Sequence, residues 1–306
     1  MSTPATPAEP TAATPAEPTL ATPVATLSAS TTPSATASIA PRGGAATARP
    51  TYRLEREPVE LRANTVLPAV REDIELHTAD GLTLVGELAV PAHGTPVATL
   101  VTLHPLPTHG GFMDSHVYRK AAWRLPELAG VAVLRFNTRG TSAPRGTSDG
   151  TFEEGIGERA DVLAAMDFVL QRGLPNPWLV GWSFGTELTL KYGPHAPLAE
   201  HLGGGVLLSP PLHRATDVDL DAWDASGLPL TVIVPEFDDY LRPAEAAERF
   251  SRVRAAHLVP VEGGKHLWVG EKAVRRVHQE IVDAVLGDAA PRLPHAVTGP
   301  VATATA

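Results

Sequence analysis

Gly181-Trp182-Ser183-Phe184-Gly185 sets a serine between two glycines, directly after the apolar run Trp178-Leu179-Val180 and directly before a helix-like segment. A serine at such a strand-to-helix turn is held on a sharp bend with its hydroxyl above the sheet. The flanking positions are glycine because side chains there would collide with the neighbouring strand and helix. Taken alone the pentapeptide also fits a Gly-rich turn carrying a solvated serine, so its reading as a nucleophile depends on the residues downstream of it.

In the architecture that uses this turn, the partners of the serine come later in the chain in the order Asp or Glu, then His. Downstream, Leu230-Thr231-Val232-Ile233-Val234 reads as a short buried strand, and the loop after it, Pro235-Glu236-Phe237-Asp238-Asp239-Tyr240, offers carboxylates where the acid of a triad belongs. Ala256 to Val261 reads as one more strand, followed by Glu262-Gly263-Gly264-Lys265-His266-Leu267-Trp268. Ser183, an aspartate and His266 thus stand in the required order, each at the C-terminal end of a predicted strand.

Several further blocks carry a resemblance: Leu103-His104-Pro105-Leu106-Pro107, Gly110-Gly111-Phe112-Met113-Asp114, Leu134 to Gly140 and Glu154-Gly155-Ile156-Gly157-Glu158. With the Ser183 pentapeptide and the His266 loop, the stretch from about Arg71 to Leu286 resembles the compact bacterial α/β-hydrolases identified as serine hydrolases, relatives of dienelactone hydrolases and small carboxylesterases. The resemblance implies an α/β-hydrolase fold with a mainly parallel sheet, a Ser-Asp-His triad and no cofactor. The family-like Gly-x-x-Asp spacing, counted from Pro235 in place of the usual glycine, points to Asp238. Counting back from Pro243 points to Asp239, and Asp238 is the favoured acid. An oxyanion hole requires fixed backbone N–H donors. One is expected from Phe184, the residue after the nucleophile. The other comes from the loop after the Val97–Leu103 strand, where Pro105 and Pro107 have no N–H and Leu106 matches the family position.

The rest of the chain agrees with one large α/β domain. Its 306 residues are 43% apolar and 19% charged, enough for a sizeable core. Residues 1 to about 50 are almost entirely Ala, Thr, Pro and Ser, and repeat Thr-Pro-Ala-Glu-Pro-Thr at 6–11 and 14–19. They are expected to be disordered, as is the closing stretch 288–306, leaving 51–287 as the domain. Ile74 to His77 and Leu82 to Leu88 flank an Asp80-Gly81 turn and should form the antiparallel edge. Val97 to Leu103, Val131 to Phe136, Trp178 to Gly181, Gly204 to Leu208 and Leu230 to Val234 suit central parallel strands, with helices over Tyr118 to Leu128 and Gly157 to Leu170. Only a short connection separates Leu208 from Leu228, too little for a substantial cap.

A net charge of −9, none of it from the N-terminal segment where two glutamates and two arginines cancel, argues against nucleic acid as a partner. No run of about 18 apolar residues suggests a bilayer span, and no secretion signal is visible, so the cytoplasm is the default expectation; the partner that the resemblance implies is a small-molecule acyl substrate. There is no cysteine and hence no disulfide or thiolate site. His104, His109 and His116 cluster without a supporting carboxylate pattern, which does not make a metal site. Gly155 to Ala160 matches Gly-x-Gly-x-x-Ala but comes after a polar loop, which suits a helix entry better than a dinucleotide site. Asp114 is expected to cap a helix starting near Ser115, and Arg139 and Arg145 suit structural pairing more than substrate binding. Two functional classes remain: a serine hydrolase of small esters acting through an acyl-enzyme, and a catalytically idle hydrolase fold used for binding or scaffolding.

Overall fold

Short apolar runs do not reveal by periodicity whether they are strand or helix, and here they fold as strands buried on both faces. A computed structural model describes residues 50–304; the Ala/Thr/Pro-rich segment 1–49 lies outside the described residues. In chain order the elements are β1 (Arg53–Glu60), β2 (Thr65–Val66), β3 (Ala69–His77), β4 (Thr83–Pro91), β5 (Thr99–Leu103), α1 (His116–Ala129), β6 (Ala132–Phe136), β7 (Ser142–Ala143), β8 (Gly146–Thr147), α2 (Glu158–Gln171), β9 (Pro177–Trp182), α3 (Phe184–Tyr192), β10 (Gly204–Leu208), α4 (Asp217–Ser226), β11 (Leu230–Phe237), α5 (Pro243–Phe250), β12 (Ala256–Lys265), α6 (Glu271–Leu286) and β13 (Ala296–Thr303).

The central sheet has eight strands in the order β12-β11-β10-β9-β5-β6-β4-β3. From β12 to β6 every neighbour is parallel, while β4 and β3 pair antiparallel at one side. The Asp80-Gly81 turn joins β3 to β4, with Gly81 at a φ of 89°. Alternation along the strands splits the core in two. Leu100, Val180, Trp182 and Leu208 pack with residues of α1 and α6, whereas Val101, Leu103, Leu134 and Leu179 pack with those of α2 and α3. Each fully buried Leu or Val on these strands stabilises the fold by roughly 1.5–3 kcal/mol relative to exposure. The segment between β10 and β11 carries only the ten-residue α4, so no cap domain is inserted there.

The closing stretch is a correction. Composition predicts disorder for 288–306, yet Ala296–Thr303 forms β13 and pairs antiparallel with both β1 and β2. Ladder hydrogen bonds come from backbone, and a Val- and Thr-rich segment needs only a partner strand to use them. Val301 and Ala302 are buried in the process. No helix among the described residues is long and apolar enough to cross a membrane.

Candidate active site

The glycines around Ser183 are set by close approach. A Cβ at Gly181 would run into the Gly185 carbonyl, and one at Gly185 into the carbonyl of Leu103 on the adjacent β5. Ser183 itself sits at φ 52°, ψ −114°, a conformation that costs a non-glycine residue on the order of 1–3 kcal/mol. The surrounding β9–α3 turn imposes it and lifts the hydroxyl off the sheet.

His266 comes after β12 and Asp238 after β11, two neighbouring parallel strands, so both side chains arrive at the same end of the sheet as Ser183. His266 Nε2 lies 2.9 Å from Ser183 Oγ, and His266 Nδ1 lies 2.9 Å from Asp238 Oδ2 and 3.1 Å from Oδ1. A carboxylate accepts only, so Nδ1 carries the proton and Nε2 is free to accept from the serine hydroxyl. Asp238 is 2% exposed and also accepts the amides of Tyr240 (2.9 Å) and Leu241 (3.4 Å), which anchor it as the start of a turn. Asp239 is exposed and stays away from the imidazole. Of the two aspartates left open by the sequence, Asp238 is the one bonded to the histidine.

The backbone of His266 is held as tightly as its ring. Its carbonyl accepts from the Trp182 indole N–H (3.1 Å) and the Ser209 hydroxyl (3.1 Å), and His116 Nε2 donates to the carbonyl of Trp268 two residues on (3.1 Å). The ring of Tyr240 meets the His266 ring edge-on, centroids 4.7 Å apart. The buried Glu187 carboxylate of α3 gathers the amides of His213 (2.7 Å), Arg214 (3.1 Å) and Ala215, fixing the loop after β10 beside the site. Sequence reasoning passes over Trp182, Ser209, Tyr240 and Glu187. Trp182 lies inside the serine motif, but its indole contact with His266 O spans 84 positions and has no local signature.

Leu106 lies in the loop after β5, and Phe184 directly follows Ser183. β5 pairs Leu103 with Gly181, so the Pro105-Leu106-Pro107 loop begins beside the serine turn. Neither the Leu106 nor the Phe184 amide has a protein acceptor among the described residues; Phe184 is the first residue of α3, where helix geometry leaves amides unpaired.

The remaining charged residues singled out in the sequence are structural. Asp114 does not cap α1; it pairs with the fully buried Arg135, which also pairs with Glu87. An ion pair with a buried guanidinium outweighs a cap worth about 1 kcal/mol. Arg139 is bonded to Asp161, Glu153 and Asp80, and Arg145 to Glu87 and Asp73. Gly157 precedes α2, and Glu158 accepts the amides of Glu153 (2.9 Å) and Gly155 (2.8 Å), a helix entry. A cavity of about 290 Å³ lies elsewhere, lined by residues of α1, α6 and the segment 293–295, and touches none of Ser183, His266 and Asp238.

Among solved structures, a serine hydrolase without a lid from Xanthomonas campestris is 26% identical and superposes with a TM-score of 0.57, covering 75% of this chain and 99% of its own. The chain has the compact α/β-hydrolase fold. Within that fold, the esterase PF2001 of Pyrococcus furiosus is a further neighbour, 18% identical, with a TM-score of 0.56 over 71% of this chain and 92% of its own. By sequence, an uncharacterized protein of Rickettsia prowazekii is 28% identical over 161 residues, 52% of this chain. The chain spans 63% of the length of that curated relative. No family model matches this α/β-hydrolase chain.

Proposed function

We propose that the protein is a serine hydrolase, carboxylesterase-like, that cleaves small ester or related acyl substrates through an acyl-enzyme. The observation that carries this reading is the continuous hydrogen-bonded chain from Ser183 Oγ through His266 to Asp238. Ser183 Oγ attacks the substrate carbonyl carbon as its proton passes to His266 Nε2. The resulting imidazolium is stabilised by Asp238, which also fixes the tautomer. The carbonyl oxygen becomes an anion and takes hydrogen bonds from the Leu106 and Phe184 amides, a type of stabilisation worth about 2.7–4 kcal/mol per donor. Collapse expels the alcohol, which leaves with the proton from Nε2. Water then repeats the sequence on the acyl-enzyme, releasing the acid and restoring Ser183.

The idle-module reading has no observation in its favour, since the nucleophile, base and acid side chains are all in bonding contact. A fluorophosphonate probe tests the choice: labelling at Ser183, lost in Ser183→Ala, supports the hydrolase, and an unlabelled folded protein refutes it.

A further inference from the structure

His104 is 1% exposed and takes no part in the Ser183–His266–Asp238 chain. Its ring is bonded on both sides: Nδ1 lies 2.7 Å from the carbonyl oxygen of Pro105, and Nε2 accepts the Thr138 amide at 3.0 Å. Because the Thr138 N–H can only donate, Nε2 is unprotonated and Nδ1–H is the donor to Pro105. Burial lowers the imidazole to about 4, so it is neutral under ordinary conditions.

The Pro105 carbonyl and the Leu106 amide belong to one planar trans peptide, so its C=O and N–H point in opposite directions. Whatever holds the carbonyl aims the amide. The prolines on either side leave that one plane unrestrained: Pro105 fixes its own φ, and Pro107 biases the ψ of Leu106, but rotation of the intervening peptide about Pro105 ψ and Leu106 φ is left open. The next carbonyl along, Leu106 O, is independently tied by the amides of His109 (3.1 Å) and Gly111 (3.0 Å). Gly111 must lack a Cβ because the Pro105 carbonyl packs against it.

We propose that His104 is a positioning residue that locks the Pro105–Leu106 peptide so that the Leu106 N–H is presented to the developing oxyanion. The inference rests on the serine hydrolase reading. A hydrogen bond to the carbonyl also polarises the peptide and strengthens its N–H as a donor. The effect is confined to the transition state, where charge reaches the oxygen, and is absent from the ground-state complex.

The test uses the full chain, a p-nitrophenyl ester and an alkyl boronic acid, which forms a tetrahedral adduct on the nucleophile. With wild type labelled by fluorophosphonate and turning over the ester, His104→Leu is expected to lose ~10²-fold in kcat with KM little changed. Boronic acid affinity should fall in the same proportion. His104→Gln, whose amide can donate to Pro105 and accept from Thr138, should recover most of the loss. Leu106→Pro suits the observed φ of −53° and deletes the amide while leaving His104 in place, and is expected to lose ~10²–10³-fold in kcat. A folded His104→Leu with unchanged kcat, or a loss confined to KM, overturns the proposal and leaves the hydrolase reading intact. Full activity in Leu106→Pro overturns it whether or not His104→Leu folds. Wild type that neither labels nor turns over removes the hydrolase reading, and this proposal with it.

Discussion

Trp182 donates its indole N–H to the carbonyl of His266 at 3.1 Å, so the residue immediately before Ser183 holds the residue to which Ser183 is hydrogen-bonded. The serine turn and the histidine loop are thereby one rigid piece, with Ser209 as a second donor on the same carbonyl. Trp182→Phe and Ser209→Ala should each leave the other donor in place. Ser209→Ala should destabilise by about 0.5–1.5 kcal/mol, and Trp182→Phe by more, because the buried indole also packs against His116 and Tyr118 and its truncation leaves a cavity. The double variant is expected to lose more kcat than the two single effects combined, because only then is the carbonyl freed; a strictly additive pair would show that the two donors act independently.

Ser183→Ala should remove hydrolysis, with a loss on the order of 10⁶ in kcat. Thermal unfolding should be unchanged or slightly raised, since alanine relieves none of the turn but removes a polar group. Residual turnover of a few per cent in clean protein would place the nucleophile elsewhere.

Asp238→Asn is expected to lower kcat by about 10⁴-fold, because an amide presents the wrong partner to His266 Nδ1. Asp239→Asn should be close to wild type, as its side chain is exposed and unbonded to the imidazole. Steady-state kinetics of the two variants side by side check the assignment.

Stability should decline with acid in a defined window. His104 and His278 are both lowered by burial to about 4 from an ordinary value near 6.5. Each is neutral in the folded chain and protonates near 6.5 once unfolded. Their contribution is therefore fully present above pH 6.5 and drains away as pH falls towards 4, the loss amounting to about 2 kcal/mol per histidine at pH 5. Urea unfolding at pH 7 and pH 5 measures it, and His278→Gln, which lies away from Ser183, should shrink the difference.

With only α4 between β10 and β11, no cap domain is inserted there to build a long apolar channel. Each buried methylene can add at most about 0.8 kcal/mol, and that gain should stop early. Among p-nitrophenyl esters, kcat/KM is expected to peak at acyl chains of roughly two to six carbons. A steady rise to a dozen carbons would contradict an open site.

Much of the central sheet is legible in the sequence because its strands are short continuous apolar runs bounded by turn residues, as around Leu100-Val101 and Leu179-Val180, whose length and boundaries and not their periodicity mark them. The order of Ser183, the acid and His266 is legible for the same reason, since each stands where such a run stops. What escapes is carried by backbone or by distance. β13 has no alternating apolar pattern, with Gly299 and Pro300 breaking its middle, and exists through its ladder with β1. The spacing from Pro235 favours Asp238 over Asp239, but the turn that fixes this register, started by Asp238 with the Tyr240 and Leu241 amides, is a backbone feature that composition does not encode. Asp114 reads as a cap because its partner Arg135 is 21 positions away.

The pairing of β1 with β13 has a mechanical meaning. Arg53 lies opposite Val301 and Glu60 opposite Ala296, so the two ends of the described chain leave the ladder side by side at its same extremity. A force drawing those ends apart falls first on the β1–β13 ladder at Arg53 and Val301 and on the short β13–β2 pairing of Ala302 with Val66 and Thr303 with Thr65. A fusion joining residue 52 to residue 304 through a short linker would turn the ladder into a hairpin, and new termini could then be cut in an exposed loop remote from Ser183.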